Sequence, residues 1–263
     1  MQSVPPSVFD MPSLAKATRG GPSAGASHVA RLHPSQLPGR GDVVAIDAEF
    51  VTLELEQVRL RPDGSRAVLR PARQAPARVS VVDGRPNAAG PSGAGSIIID
   101  DYVVQTEPIV DYLTRFSGIT PEDLEPATSR HNLSTLRAVY LKLRCLLDRG
   151  CIMVGHGLSK DFRIINLTVP PEQVIDTVEL WSLPGQRKAS LRFLAHFLLD
   201  ADIQVETHDS VEDARIALAL YKRYKECEAE GKVGETLRRL YEHGWSVDWK
   251  VAGGVAAAGD GEL

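Results

Sequence analysis

The stretch GDVVAIDAEFV, Gly41 to Val51, restricts the fold of this chain more than any other. Its β-branched Val43, Val44, Ile46 and Val51 predict a strand buried inside a sheet, yet Asp47 and Glu49 stand in its middle. Side chains two apart on a strand project to one face. The two carboxylates therefore sit side by side, and each raises the cost of ionising the other. A cation held between them would resolve that conflict.

The rest of the chain supplies the frame. With 263 residues and 43% hydrophobic composition, one good-sized α/β domain with tails is the default, and two small domains would also fit. A net charge of −4 argues against a protein that holds nucleic acid by a broad basic surface. It leaves room for an enzyme that meets phosphates through bound divalent ions. The three cysteines, Cys145, Cys151 and Cys227, form no CxxC pair, which suits a reducing intracellular setting better than a disulfide framework or a zinc site. No run approaches the roughly 18 apolar residues of a membrane helix, and the amino terminus lacks a signal layout. A soluble, intracellular protein is expected. Residues 1–40, rich in Pro, Gly, Ser and Ala, are expected to be linker or tail, residues 41–250 the folded domain, and residues 251–263 a disordered tail.

Three strands are expected first: Val43 to Glu54, the segment around Val79 to Val82, and Ser96 to Val104, with a flexible loop, PNAAGPSGAG, before the third. Their succession suggests antiparallel hairpins. Between the first two, Arg59, Arg61, Arg66, Arg70, Arg73 and Arg78 read as a solvated hairpin excursion or as an arm touching phosphates. Helical signals follow. Thr120 caps TPEDLEP with Pro121 in the first turn, and Ser134 to Arg149 carries one apolar face. CIMVGHG and QVIDTVEL read as strands, and SKDFRIINL, ASLRFLAHFLLD (capped by Ser190) and SVEDARIALALYKRYKECEAE (opened by Ser210) as helices. This order predicts an α/β fold with a central mixed sheet flanked by helices.

Three further sites carry possible chemistry. Asp213 stands three residues after Ser210, where it could close a capping box, but it shares a helical face with Ala217, Leu220 and Tyr224 and so points inward, as a metal ligand would. His208, just ahead of that helix, can accept a proton near neutral pH, while Asp209 and Glu212 should face solvent. In GHGLSKDF, Asp161 lies early in a helix leaving a strand end, where it could be a favourable acid near a helix terminus or part of a site. His156 could touch substrate or support the turn, Asp176 most simply caps the next turn, and Trp181, Trp245 and Trp249 read as packing or interaction residues.

VAIDAEFV, GHGLSKDF and THDSVEDA, in that order, resemble the motifs of the DEDD-type 3′-to-5′ exonucleases with a catalytic histidine. Together with IDDYVVQTEPIVDYLTRFSGITPEDL and LRAVYLKLRCLLDRG, they closely resemble the exonuclease domain of the catalytic subunit of the Pan deadenylase, over about Leu37 to Glu228. The resemblance implies a ribonuclease H-like fold, a poly(A)-specific 3′-5′ exoribonuclease that shortens mRNA poly(A) tails in the cytoplasm, and release of 5′-AMP. It implies that Asp47, Glu49, Asp161 and Asp213 hold two divalent ions, Mg2+ or Mn2+, that His208 is the general base, and that Phe50, Val51 and Ile119 line the slot for the terminal nucleotide. It further implies poly(A) RNA as substrate, and the Pan pseudokinase regulatory subunit and poly(A)-binding protein as partners met mostly outside this chain. Glu49, Phe50 and Val51 stand where the proofreading branch has ETG, which weakens a DNA-directed reading. A non-catalytic RNA-binding module is the other alternative, and it would be favoured by a lost acid or histidine; all five positions are filled.

Overall fold

The computed structural model describes residues 36–86, 95–203 and 207–251, together with Phe9. The expectations for most of the two tails and for the loop before the third strand fall outside these residues. At the amino-terminal edge, packing begins ahead of Gly41. Leu37 is buried in the core, and the Arg149 side chain donates to the Leu37 and Pro38 carbonyls.

The centre is a six-stranded sheet. Its first strand, β1 (Val43–Glu54), leads into an outlying hairpin, β2 (Gln57–Leu60) and β3 (Arg66–Arg70), before the chain returns in β4 (Arg73–Asp83) and continues in β5 (Ile97–Val103). The short strands β6 (Leu133–Ser134), β7 (Ile152–Gly155) and β8 (Val174–Asp176) complete the order β6-β5-β4-β1-β7-β8. β1, β4 and β5 are antiparallel neighbours, whereas β7 joins β1, β8 joins β7 and β6 joins β5 in parallel. The expected mixed sheet is therefore present, and the first long strands form the expected antiparallel set.

The helices are α1 (Thr114–Ser117), α2 (Pro121–Leu124), α3 (Leu136–Asp148), α4 (Leu158–Ile165), α5 (Thr177–Leu180), α6 (Leu191–Leu199), α7 (Ser210–Ala229) and α8 (Val233–Ser246). They divide between the sheet faces according to the two-residue period of β1. Val44, Ile46, Ala48 and Phe50 pack with Val139, Leu143 and Leu146 of α3 and with Leu158 and Ile165 of α4. Ala45 packs on the opposite side with Val211, Ala214 and Leu218 of α7. Each large aliphatic side chain removed from water contributes about 1.5–3 kcal/mol, which fixes the strand's register against a one-residue slip. Asp47 and Glu49 follow Ala45 at the same parity, so α7 covers the face onto which both acids project.

Four local readings change. QVIDTVEL is a strand only to Asp176, because the Asp176 side chain accepts from Val178 N at 3.0 Å and starts α5. Asp209, not Ser210, caps α7; its Oδ1 accepts from Val211 N and Glu212 N, while Ser210 Oγ is tied to Ser80 Oγ at 2.7 Å. Arg78 belongs to β4 and is buried, so it is not one of the solvated arginines of the hairpin. Finally, α8 was not expected: VGETLRRLYEHGWS buries Leu237, Leu240 and Tyr241 against Trp181, Phe193 and Trp249 in a second core. Trp181 and Trp249 are packing residues, and Trp245 is exposed. No helix among the described residues is long and apolar enough to cross a membrane.

Candidate active site

The carboxylates of β1 open into a cavity of about 210 Å³, walled by Asp47, Ala48, Glu49, Phe50, Gln74, Leu113, Phe116, Ser117, Lys160, His208 and Asp213. A larger concavity, about 550 Å³, lies on the outlying hairpin against Arg59, Leu60, Arg61, Pro62, Ala67 and Leu69. It contains no acid and no general base among those residues, so the chemistry belongs to the smaller cavity.

Each wall has a local cause. Asp213 sits one turn inside α7 at 3% exposure, on the face shared with buried Ala217 and Leu220. His208 precedes the Asp209 cap; its Nδ1 lies 3.4 Å from Asp213 Oδ2, and its backbone N–H donates to the Phe116 carbonyl at 2.9 Å, which fastens the loop to α1. One ligand atom from each of Glu49, His208 and Asp213 falls within 4.8 Å of the others, a spacing that one ion could bridge.

Asp161 reaches the group from the other side. Gly155 ends β7 against Ile46, and the turn through Gly157, in the left-handed region at φ 77°, opens α4. The Asp176 carboxylate accepts from Gly157 N and Leu158 N, both at 2.9 Å, and so pins the turn that aims α4. Asp176 therefore caps its own short helix, as expected, and also braces this turn. His156 Nδ1 lies 2.9 Å from Thr177 Oγ1, and burial holds its pKa down at about 4, so the ring is a neutral brace for the turn. Asp161 is buried off the cavity wall, yet its charge acts on Asp47.

The electrostatics are those of a site waiting for positive charge. Burial first, then the charges of Asp213, Asp161 and Glu49, raise the Asp47 pKa well above the usual carboxylate range. Burial followed by Asp213 pushes Glu49 up to about 9, and burial pushes Asp161 up to about 7. Clustered carboxylates at this cost fit a hard divalent cation, whose oxygen ligation and charge remove both penalties.

The cavity gathers Asp47, Glu49, Phe50, His208 and Asp213 on its wall, with Asp161 adjacent. It does not gather Val51 or Ile119. Both are packed with Leu53, Ala77 and Tyr102 in a neighbouring apolar cluster, because Val51 lies past the strand irregularity at Glu49/Phe50 and Ile119 turns inward with α2. The far wall is instead Leu113, Phe116 and Ser117. Sequence reasoning passed over Lys160, whose Nζ lies over the Phe50 ring at 5.1 Å, and Gln74. Lys160 stands next to Asp161 in the motif, and that adjacency was the available signal.

The Exonuclease family model matches residues 44–221. The chain is 50% identical over 221 residues to the PAN2-PAN3 deadenylation complex catalytic subunit PAN2 of Homo sapiens, covering 82% of this chain and 18% of that protein. Among solved structures, it is similar to the Neurospora crassa Pan2 catalytic unit, described as a protease and nuclease domain (43% identity, TM-score 0.70, 87% of this chain and 34% of that one). It is also similar to the Saccharomyces cerevisiae Pan2 pseudoubiquitin hydrolase-RNA exonuclease module in complex with A7 RNA (37% identity, TM-score 0.78, 94% and 37%). The chain thus spans under a fifth of the curated relative's length. The likeness to these modules agrees with the ribonuclease H-like fold.

Proposed function

Starting from the chain's membership of the exonuclease family, we propose that it is a poly(A)-specific 3′-5′ exoribonuclease that hydrolyses phosphodiesters one nucleotide at a time and releases 5′-AMP. The observation that carries the proposal is the cavity in which Asp47, Glu49, Asp213 and His208 meet, with Asp161 adjoining. The likeness to a Pan2 module solved with A7 RNA supports poly(A) as the substrate, and the relative's name supports a deadenylation complex as the assembly; mRNA tail shortening in the cytoplasm is the setting that the motif resemblance implies. The relative's name, that of a PAN2-PAN3 complex subunit, supports PAN3 as a partner, and the motif resemblance implies a pseudokinase regulatory subunit and poly(A)-binding protein, met mostly outside this chain.

Asp47, Glu49, Asp161 and Asp213 are the residues that would hold two divalent cations, Mg2+ or Mn2+. When bound, such ions neutralise phosphate charge and sharpen the acidity of water. The chain's own residues do the rest. His208, with its side chain 42% exposed at the cavity rim, accepts the proton of the attacking water. Asp213 Oδ2, 3.4 Å from His208 Nδ1, orients the ring. Phe50, Leu113 and Phe116 give the terminal nucleoside apolar walls. Lys160, the nearest ammonium on the described wall, meets the phosphate.

The test is a magnesium-dependent assay on poly(A) beside mixed-sequence RNA and matched DNA, with product identification. Preferential conversion of poly(A) to 5′-AMP is expected. Faster DNA hydrolysis, or no Mg2+- or Mn2+-dependent product, would overturn the reading.

A further inference from the structure

We propose that Arg78 is a positioning residue of this nuclease site, clamping the entry of α7, and with it His208 and Asp213, onto the strand that faces Glu49. The inference rests on the nuclease reading above. Arg78 is paired across β4 and β1 with Glu49 and is 8% exposed. One edge of its guanidinium is occupied by β5: Nε donates to Asp100 Oδ1 at 2.7 Å and Nη2 to Asp100 Oδ2 at 3.2 Å. The Tyr102 ring lies 5.0 Å from its central carbon and limits its movement. The remaining edge leaves the sheet, as Nη1 donates to Asp209 Oδ2 at 2.9 Å.

That last contact distinguishes a clamp from an ordinary buried ion pair. Asp100 balances the charge and takes the Nε and Nη2 donors, and Nη1 is left to reach beyond the sheet. Asp209 lies 131 residues further on, its side chain is 52% exposed, and its other oxygen, Oδ1, is the cap that accepts from Val211 N and Glu212 N. One carboxylate thus joins the guanidinium to the helix start, with His208 immediately before it and Asp213 one turn after. A second tie runs parallel, from Asp100 Oδ1 through Ser80 Oγ to Ser210 Oγ, at 3.0 and 2.7 Å. The position requires a planar fork, since an ammonium cannot present three coplanar donors to two separate carboxylates.

Asp209→Asn and Arg78→Lys test the clamp. Asparagine still caps a helix as well as aspartate does, so Asp209→Asn removes the ion pair and spares both the cap and the buried Arg78–Asp100 pair. On poly(A), with Mn2+ varied, kcat is expected to fall roughly 10- to 100-fold in both variants while KM for RNA stays near wild type. The Mn2+ concentration for half-maximal rate should rise in both, and the Asp209→Asn unfolding midpoint without metal should fall only slightly, because the cap and the Arg78–Asp100 pair remain. Arg78→Lys alone could fail to fold by stranding Asp100, in which case Asp209→Asn decides. A wild-type kcat in Asp209→Asn, or a change confined to KM, would overturn the clamp. A wild-type protein inactive on every RNA would overturn the nuclease reading instead, and calorimetry of Mn2+ binding, expected to weaken in Asp209→Asn, would still judge the clamp.

Discussion

Asp47 and Glu49 show what single residues of this site cost and why they are retained. The Glu49 carboxyl holds its proton to about pH 9 in the fold, against 4.5 in an unfolded chain, and Asp161 to about 7 against 3.8. Between those limits the unfolded chain binds fewer protons than the native one, so stability falls as pH rises. The metal-free protein is therefore expected to lose thermal stability from about pH 4.5 towards about pH 9, and Glu49→Gln to flatten that slope; scanning calorimetry across pH checks both. Added Mn2+ should stabilise most at the alkaline end, where the acids no longer hold protons against the ion. Asp47→Ala is expected to abolish hydrolysis and raise the metal-free midpoint, since it removes one of the crowded charges. His208→Ala should cost about 100- to 10,000-fold in rate with Mn2+ affinity near wild type by calorimetry; an affinity that collapses with the rate would make His208 a ligand. These residues were legible because a paired acid in an apolar strand has no cheap structural use. Arg78 was not, because its partners Asp100 and Asp209 are remote in sequence.

Among the elements, the helices were legible where apolar period and cap agreed and misread where a polar residue had two possible partners. Ser190 caps α6 as read, accepting from Phe193 N at 3.3 Å. Ser210 reads as the cap in the sequence, but the sheet claims its hydroxyl through Ser80, and the duty passes to Asp209. In QVIDTVEL the β-branched run favours a strand, yet Asp176 supplies an N-cap that starts a helix after it. A tight element junction lies at Gly155, where an added Cβ would stand 2.3 Å from Leu158 Cδ2 and 2.8 Å from the Ile46 carbonyl. Gly155→Ala is accordingly expected to destabilise by about 1–3 kcal/mol, measured by chemical denaturation, and to lower kcat by displacing α4 and Asp161. Neutral stability would mean that α4 is free to shift and that Asp161 is not held by this contact.

At the scale of the whole molecule, the parity of β1 divides the labour. One side of the strand builds the core with α3 and α4, and the other carries the acids beneath α7, so a long apolar strand with two carboxylates yields a core and a site at once. The sheet class was legible from strand and helix order; α8 and the second core were not, because VGETLRRLYEHGWS mixes charges into its apolar spacing. The site's small cavity, lined by Phe50, Leu113 and Phe116 beside the acids, bears on the central claim of the proposed function, that the end of a strand brings its phosphodiester to the acids. The most direct measurement compares 5′-labelled linear poly(A), the same strand carrying a bulky 3′ block, and circular poly(A), each with Mg2+ and the wild-type protein. The linear strand should shorten stepwise with its label retained, while the blocked and circular forms persist. Cleavage of circular poly(A) at a rate comparable to the linear strand would contradict the enclosed, end-dependent site.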